Sequence, residues 1–249
     1  MDEKVKLSAR EFAVTAAALG AGVLYGIRDP FFGLDSGGIA MARQTAEESL
    51  AKRGLLSMEF DGSVTPSPEL AQAVGVCAAC QRYTVLDGVD RGAELPHACL
   101  YEAGDYSVQL VQTGGDMELT PGGGDYIGGQ LETILADGGT AEQEGFLTYN
   151  VLAAVQGLPA DKGLGKLNEL GFSDRCAGLI LRGFAGQAAY LSVMCGDLAA
   201  RTLKCVSFLS DGTGTVQLLP TEAGEDAGWY VSWTTPAAAA ALVRKWRSG

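Results

Sequence analysis

The sequence predicts an α+β fold built from two related halves, each running from helices through an antiparallel meander into a closing helix. Three observations predict it. Short landmarks recur in one order: Leu50-Ala-Lys-Arg-Gly54 is answered by Leu167-Asn-Glu-Leu-Gly171, Tyr83-Thr-Val-Leu by Tyr190-Leu-Ser-Val, Val108-Gln-Leu by Val216-Gln-Leu, and Thr120-Pro121 by Thr235-Pro236. The strand-like runs are joined by Asp/Gly turn signals, which makes them hairpin-linked and rules out a doubly wound α/β sheet. Helical periodicity precedes the strands in both halves. A lone meander leaves an open edge. Two meanders side by side are therefore expected to share one larger antiparallel sheet, with helices packed on it, in a quasi-two-fold body. The division falls at 1–139 and 140–249, the two parts forming one compact unit.

In the first half, Ser8-x-x-Glu11 is a capping box that opens a helix over about Ala9–Tyr25, with Phe12, Ala16, Leu19, Val23 and Ile27 on one face. Asp29-Pro30 ends it, because the residue before Pro avoids the helical region. Phe31-Phe32-Gly33 turns the chain. A second helix spans about Ile39–Arg53, with Ile39, Ala42, Ala46 and Leu50 inward and Gly54 as its stop. Ser57–Val64 alternates around Asp61-Gly62, a hairpin signal. Ser67-Pro68-Glu69 then supplies cap, first-turn Pro and early acid for a third helix. Strands are expected at Tyr83–Leu86, Ala98–Glu102, Ser107–Gln112 and Met117–Thr120. Pro121-Gly-Gly-Gly124 reads as a hinge, and Asp125 as the cap of a helix to about Ala136.

The second half repeats this order without the small hairpin. Phe146–Val155 is expected to be helical, Leu158-Pro159 breaks it, and Leu164, Leu167 and Leu170 mark the next helix. Gly171-Phe172-Ser173 ends that helix and opens another. Strands follow at Ala189–Cys195, Lys204–Leu209, Gly214–Leu219 and Trp229–Thr234, and an Ala-rich helix closes the chain over Ala237–Arg247.

The charge balance excludes some functions. A net charge of -12 over 249 residues disfavours nucleic acid, which needs a basic surface to release counterions, and anionic membranes alike. The 47% hydrophobic and 19% charged content fits a folded globular chain. Phe12–Ile27 is too short for a ~20-residue membrane span, and Asp2, Glu3, Arg10 and Glu11 are the wrong flank for a signal peptide. The six cysteines lie in apolar runs and read as reduced thiols in a cytoplasmic protein.

No familiar catalytic constellation is present. Cys77-Ala-Ala-Cys80 is a CxxC, and with His97 and Cys99 a four-ligand metal set can be written, but the Ala, Val and Gly around it suit core packing better. His97 is the only histidine and no Gly-x-Ser-x-Gly elbow accompanies it. Gly122–Gly124 lacks the Gly-Lys-Ser/Thr ending of a phosphate loop and is followed by Asp125, while Gly212-Thr213-Gly214 reads as a hairpin turn. No catalytic residue, metal or cofactor is expected. Trp229-Tyr230-Val231-Ser232-Trp233 puts Trp229, Val231 and Trp233 on one strand face, suited to a core or to a partner surface.

The Leu50–Leu56 helix end followed by a hairpin and Ser67-Pro68-Glu69-Leu70, the repeated helices-then-meander order, and Thr235-Pro236 entering a terminal helix after a Trp-bearing strand resemble the ESX (type VII) secretion-associated EspG-like chaperones over nearly the whole chain. The resemblance implies a non-enzymatic cytoplasmic chaperone or adaptor with a quasi-two-fold α+β fold. It would bind a helical secreted protein of the WXG, LXG or PE-PPE kind and hold it soluble for export, without nucleic acid and without membrane insertion. Candidate surfaces are the Gln112–Asp125 loop and the Leu209–Thr221 hairpin, and the candidate partner-binding residues are Met117, Leu119, Tyr126, Leu218, Leu219, Trp229 and Trp233. The alternatives are a winged-helix-like regulator, suggested by the helix, hairpin and helix of Ile39–Leu86, and a Cys/His-dependent enzyme or zinc protein.

Overall fold

Ser8 accepts a hydrogen bond from the Glu11 backbone N–H, and Glu11 returns one from the Ser8 N–H, so the capping box closes in both directions. The computed structural model describes residues 4–60, 63–122, 124–139, 142–221 and 227–248. The Asp61-Gly62 turn signal, Gly123 of the expected hinge and Thr140 at the expected boundary lie outside the described residues.

In chain order the elements begin β1 (Val5–Ser8), α1 (Ala9–Ala18), α2 (Ser36–Lys52), β2 (Leu56–Met58), β3 (Val64–Pro66) and α3 (Pro68–Ala78). There follow β4 (Arg82–Asp90), β5 (Ala93–Glu94), β6 (His97–Ala103), β7 (Tyr106–Thr113), β8 (Asp116–Pro121) and α4 (Tyr126–Ile134). The rest is β9 (Gln143–Thr148), α5 (Tyr149–Gln156), α6 (Ala160–Glu169), α7 (Asp174–Phe184), β10 (Ala189–Asp197), β11 (Thr202–Asp211), β12 (Gly214–Pro220), β13 (Gly228–Thr234) and α8 (Pro236–Arg247). This is the expected α+β class: helices packed on antiparallel strands. The order strand, three helices, four meander strands, helix occurs twice, from β1 to α4 and from β9 to α8, with the small hairpin and the two-residue β5 only in the first pass among the described residues.

The chain forms two compact units. One comprises Met1–Val85, Pro96–Gly124 and Asp197–Thr202; the other comprises Leu86–Leu95, Asp125–Gly196 and Leu203–Gly249. The division therefore differs from 1–139 and 140–249: α4 groups with the second unit, where it packs along α8 and Arg244 bridges Asp125 and Glu132.

In the first unit the strands run β1-β8-β7-β6-β4. Register places Leu7, Met117, Leu119, Leu110, Cys99 and Tyr101 on one face, and α3 packs against β6, β7 and β8 with Leu70, Val74 and Cys77 buried. In the second unit the order is β4-β10-β11-β12-β13-β9. Leu209, Val216, Leu218, Val231 and Trp233 share one face and form a single core with Leu152, Val155, Leu167 and Ile180 of α5–α7. Ser210 and Thr215 point to the opposite face, where they hold the N–H and C=O of Ala136 after α4.

Several local expectations are corrected. The first helix ends at Ala18, not Tyr25, because Gly20 takes φ 82° and breaks the run. Phe146–Thr148 is strand, and the helix begins at Tyr149 with Thr148 as its cap. β1 and β9 are both additional to the expected strands. Thr235 caps α8 directly, whereas Pro121 ends β8 and α4 starts only at Tyr126. Asp125 sits at the cap position of α4 without a side-chain cap bond; its carboxylate pairs with Arg244 and Arg247 instead. The Gln112–Asp125 segment is mostly strand, the end of β7 and all of β8, rather than a loop.

Candidate functional site

Cys77, Cys80 and Cys99 are buried in the first unit, with His97 beside Cys99. Cys77, on the inner face of α3, donates its thiol to the Ala73 C=O at 3.5 Å, and Cys99 lies at the centre of β6 with His97 Nε2 3.2 Å from its Sγ. Burial pushes the Cys77 thiol well up, with nearby Cys80 and Cys99 adding to it, and burial raises Cys80 as well. A thiol held protonated is a weak nucleophile. The strand-side covering is tight. Tyr25 stacks on Tyr83 at 4.7 Å, its C=O accepts from Tyr101 Oη at 2.7 Å, and a Cβ on Gly26 would stand 2.9 Å from Cys99 Sγ. Among the described residues no three metal-ligating side chains converge.

The seven candidate partner-binding residues divide by position. Met117, Leu119, Leu218 and Trp233 are buried, because each lies on the core-facing side of its strand. Trp233 is fixed on three sides: Arg175 stacks on its ring at 4.0 Å, its indole N–H donates to Glu144, and Val216 lies across from it on β12. Burial raises the Glu144 carboxyl, but hydrogen bonds from Ser173 and Trp233 and the charge of Arg175 outweigh that and hold it below the usual carboxylate range. Tyr126, Leu219 and Trp229 are half-buried and keep part of their surface open. Met117 and Leu119 belong to the first unit and the other five to the second.

The exposed apolar side chains lie elsewhere. In the first unit they are Val23, Phe32 and Leu34 between α1 and α2, Met41 on α2, Met58 and Phe60 on the β2–β3 hairpin, and, apart from these, Tyr106 at the start of β7. Phe32 is 89% exposed and Phe60 fully so. Local chemistry holds them out. Gly26 and Gly33 take φ 75° and 82°, the Asp29 carboxylate accepts the Phe31 N–H, and the Asp29 C=O accepts the Phe32 N–H. The hairpin is anchored at its base by Ser67 N–H to the Leu55 C=O and extended by Glu59 N–H to the Ser63 C=O. Beside this region a groove of about 490 Å³ opens between α1 and α2, walled by Ala9, Ala42, Ala46 and Thr45 with Glu11 and Arg10 at its polar end. Pro30-Phe31-Phe32-Gly33 was the available signal: two adjacent aromatics in a turn have no core to fill.

In the second unit Tyr149 and Tyr230 are 50% and 53% exposed. Tyr230 meets Phe146 at 5.2 Å across β13–β9, and Tyr149 meets Trp229 edge-on at 4.3 Å. Among the described residues no helix is long and apolar enough to cross a membrane.

No protein-family model and no curated protein sequence matches the chain. The structure is similar to that of the type VII secretion system chaperone EspG5 of Mycobacterium tuberculosis, solved in complex with a PE25-PPE41 dimer. The TM-score is 0.62 at 14% identity, over 97% of this chain and 95% of that one. At that identity the likeness is one of fold, and it extends from end to end of both chains.

Proposed function

We propose that this protein is a non-enzymatic cytoplasmic chaperone or adaptor. It covers the apolar tip of a helical protein destined for type VII export and keeps that client soluble. The observation that carries this reading is the end-to-end likeness in fold to a chaperone solved in complex with a PE25-PPE41 dimer. The chemistry of the surface agrees with it. A helical client exposes an apolar end before export, and such a patch aggregates unless it is covered. Covering it requires exposed apolar side chains with a polar rim and no reactive group. Phe32, Met41, Met58 and Phe60 supply the first, in a chain whose net charge of -12 keeps it soluble while they are uncovered. The groove beside α2, walled by Ala42 and Ala46, is suited to an inserted apolar side chain.

Co-expression tests this. A small helical exported protein encoded beside this chain's gene should move from the pellet to the soluble fraction when the chain is present. It should return to the pellet when Phe32→Asp and Phe60→Asp are introduced together. A client equally soluble with and without the chain would refute the reading.

A further inference from the structure

The two meanders end in terminal strands of opposite character. β1, which closes the strand order of the first unit, spans four residues, and Lys4 and Lys6 at its solvent side pair with Glu118 at 2.6 and 3.7 Å. Lysines on an edge discourage another strand from adding to it. β9, which closes the order of the second unit among the described residues, reads Gln-Glu-Gly-Phe-Leu-Thr and carries neither Lys nor Arg. The Phe146–Tyr230 pair lies on one face of this edge, and Trp229, on the next strand in, joins Tyr149 on the other.

The backbone of β9 is available on its open side. Tyr149 N–H bonds to the Ala227 C=O, so by antiparallel alternation Leu147 and Gly145 also turn toward β13, while Phe146 turns away. Gly228 confirms the phase, since its N–H and C=O go to Thr221 on the far side rather than to β9. The N–H and C=O of Phe146 therefore face outward between exposed aromatic rings.

We propose that β9 pairs antiparallel with β9 of a second copy of this chain, centred on Phe146, giving a weak two-fold dimer. The strand is self-complementary in that register. Phe146 faces itself and can exchange two backbone hydrogen bonds, Gly145 falls opposite Leu147, and Glu144, at the bulge, lies toward the uncharged Thr148. No like charges meet, so cross-strand repulsion, which would forbid the pairing, is absent. The bulge opposite Val231/Ser232 bends the strand at Glu144 and limits the pairing to a few residues, which makes the dimer weak and dependent on concentration. This inference stands apart from the chaperone reading, and either can fail alone.

Sedimentation velocity on the full chain over about a hundredfold range of concentration should show a dimer that dissociates on dilution. In parallel, hydrogen exchange at the Phe146 amide should slow as concentration rises. Phe146→Lys should raise the dissociation constant at least about tenfold. Tyr106→Lys, at an exposed position in the other unit, should leave it unchanged. The proposal is overturned by a monomer throughout the range, by a dimer that leaves the Phe146 amide fast-exchanging, or by protection of that amide only after a helical client is added.

Discussion

Glu11 and Arg53 meet at 3.2 Å although 42 residues separate them in sequence, and this pair ties the start of α1 to the end of α2. Glu11 is only 5% exposed, and its carboxylate also accepts the Ser8 N–H at 2.7 Å and the Ser49 hydroxyl at 2.7 Å. Burial raises its carboxyl, but the Ser8 and Ser49 hydrogen bonds and the Arg53 charge outweigh burial and leave it below the ordinary range.

Glu11→Ala should therefore cost about 2 kcal/mol, mostly from lost hydrogen bonds, since Arg53 is half exposed and its charge is screened. A depressed carboxyl stabilises the fold fully above its unfolded value of ~4.3, and that stabilisation is lost as pH falls through the lower folded value. Urea denaturation at neutral pH should separate wild type from variant. The gap should narrow below about pH 4. A gap that widens in acid would contradict the assignment.

Two glycines should respond oppositely to alanine. A Cβ on Gly88 in β4 would stand 2.6 Å from the Tyr190 carbonyl oxygen and 3.2 Å from Leu191 Cα, backbone atoms that cannot step aside. Gly88→Ala should destabilise by roughly 2 kcal/mol or more. Gly165 on the outer face of α6 has nothing within 4 Å, so Gly165→Ala should stabilise by up to about 1 kcal/mol. Denaturant midpoints of the two variants on opposite sides of wild type would bear this out.

Thiol reactivity should follow burial. Cys205 is half-buried, whereas Cys77, Cys80, Cys99, Cys176 and Cys195 are buried. Burial raises Cys205 as well and pushes Cys176 up to about 12. With iodoacetamide at neutral pH, Cys205 should label slowly and Cys77 and Cys99 only in denaturant, as read by mass spectrometry. Rapid native labelling of Cys77 would revive a redox role for the Cys77/Cys80 pair.

Much of the scaffold was legible in the sequence. The eight meander strands overlap the runs where alternation put them, although the Asp87-Gly88 turn signal lies inside β4, which runs on to Asp90 and turns at Arg91-Gly92; Gly54 and Gly171 both take positive φ at helix ends. Ser8, Ser67 and Ser173 cap the helices they precede. What escaped was local signal overridden by tertiary pairing. Val5–Ser8 is too short to alternate visibly, and Gly145 in β9 carries no strand signal, because a Cβ there would press on the Phe172 ring at 3.2 Å. The surface was the least legible part. Met117, Leu119 and Leu218 look alike whether they face a core or a partner until the register is known; Phe32 is marked by its turn, whereas Phe60 stands out only once the core is full without it.

The central claim is that exposed apolar side chains of the first unit grip another polypeptide. Isothermal titration of the purified chain with a helical exported protein encoded beside its gene tests it most directly. Binding should be saturable, with a negative heat-capacity change, the mark of apolar burial. Binding should weaken at least about tenfold in Phe32→Asp/Phe60→Asp, with the melting temperature unchanged. Full-strength binding by that folded double variant, or none by the folded wild-type chain, would contradict it.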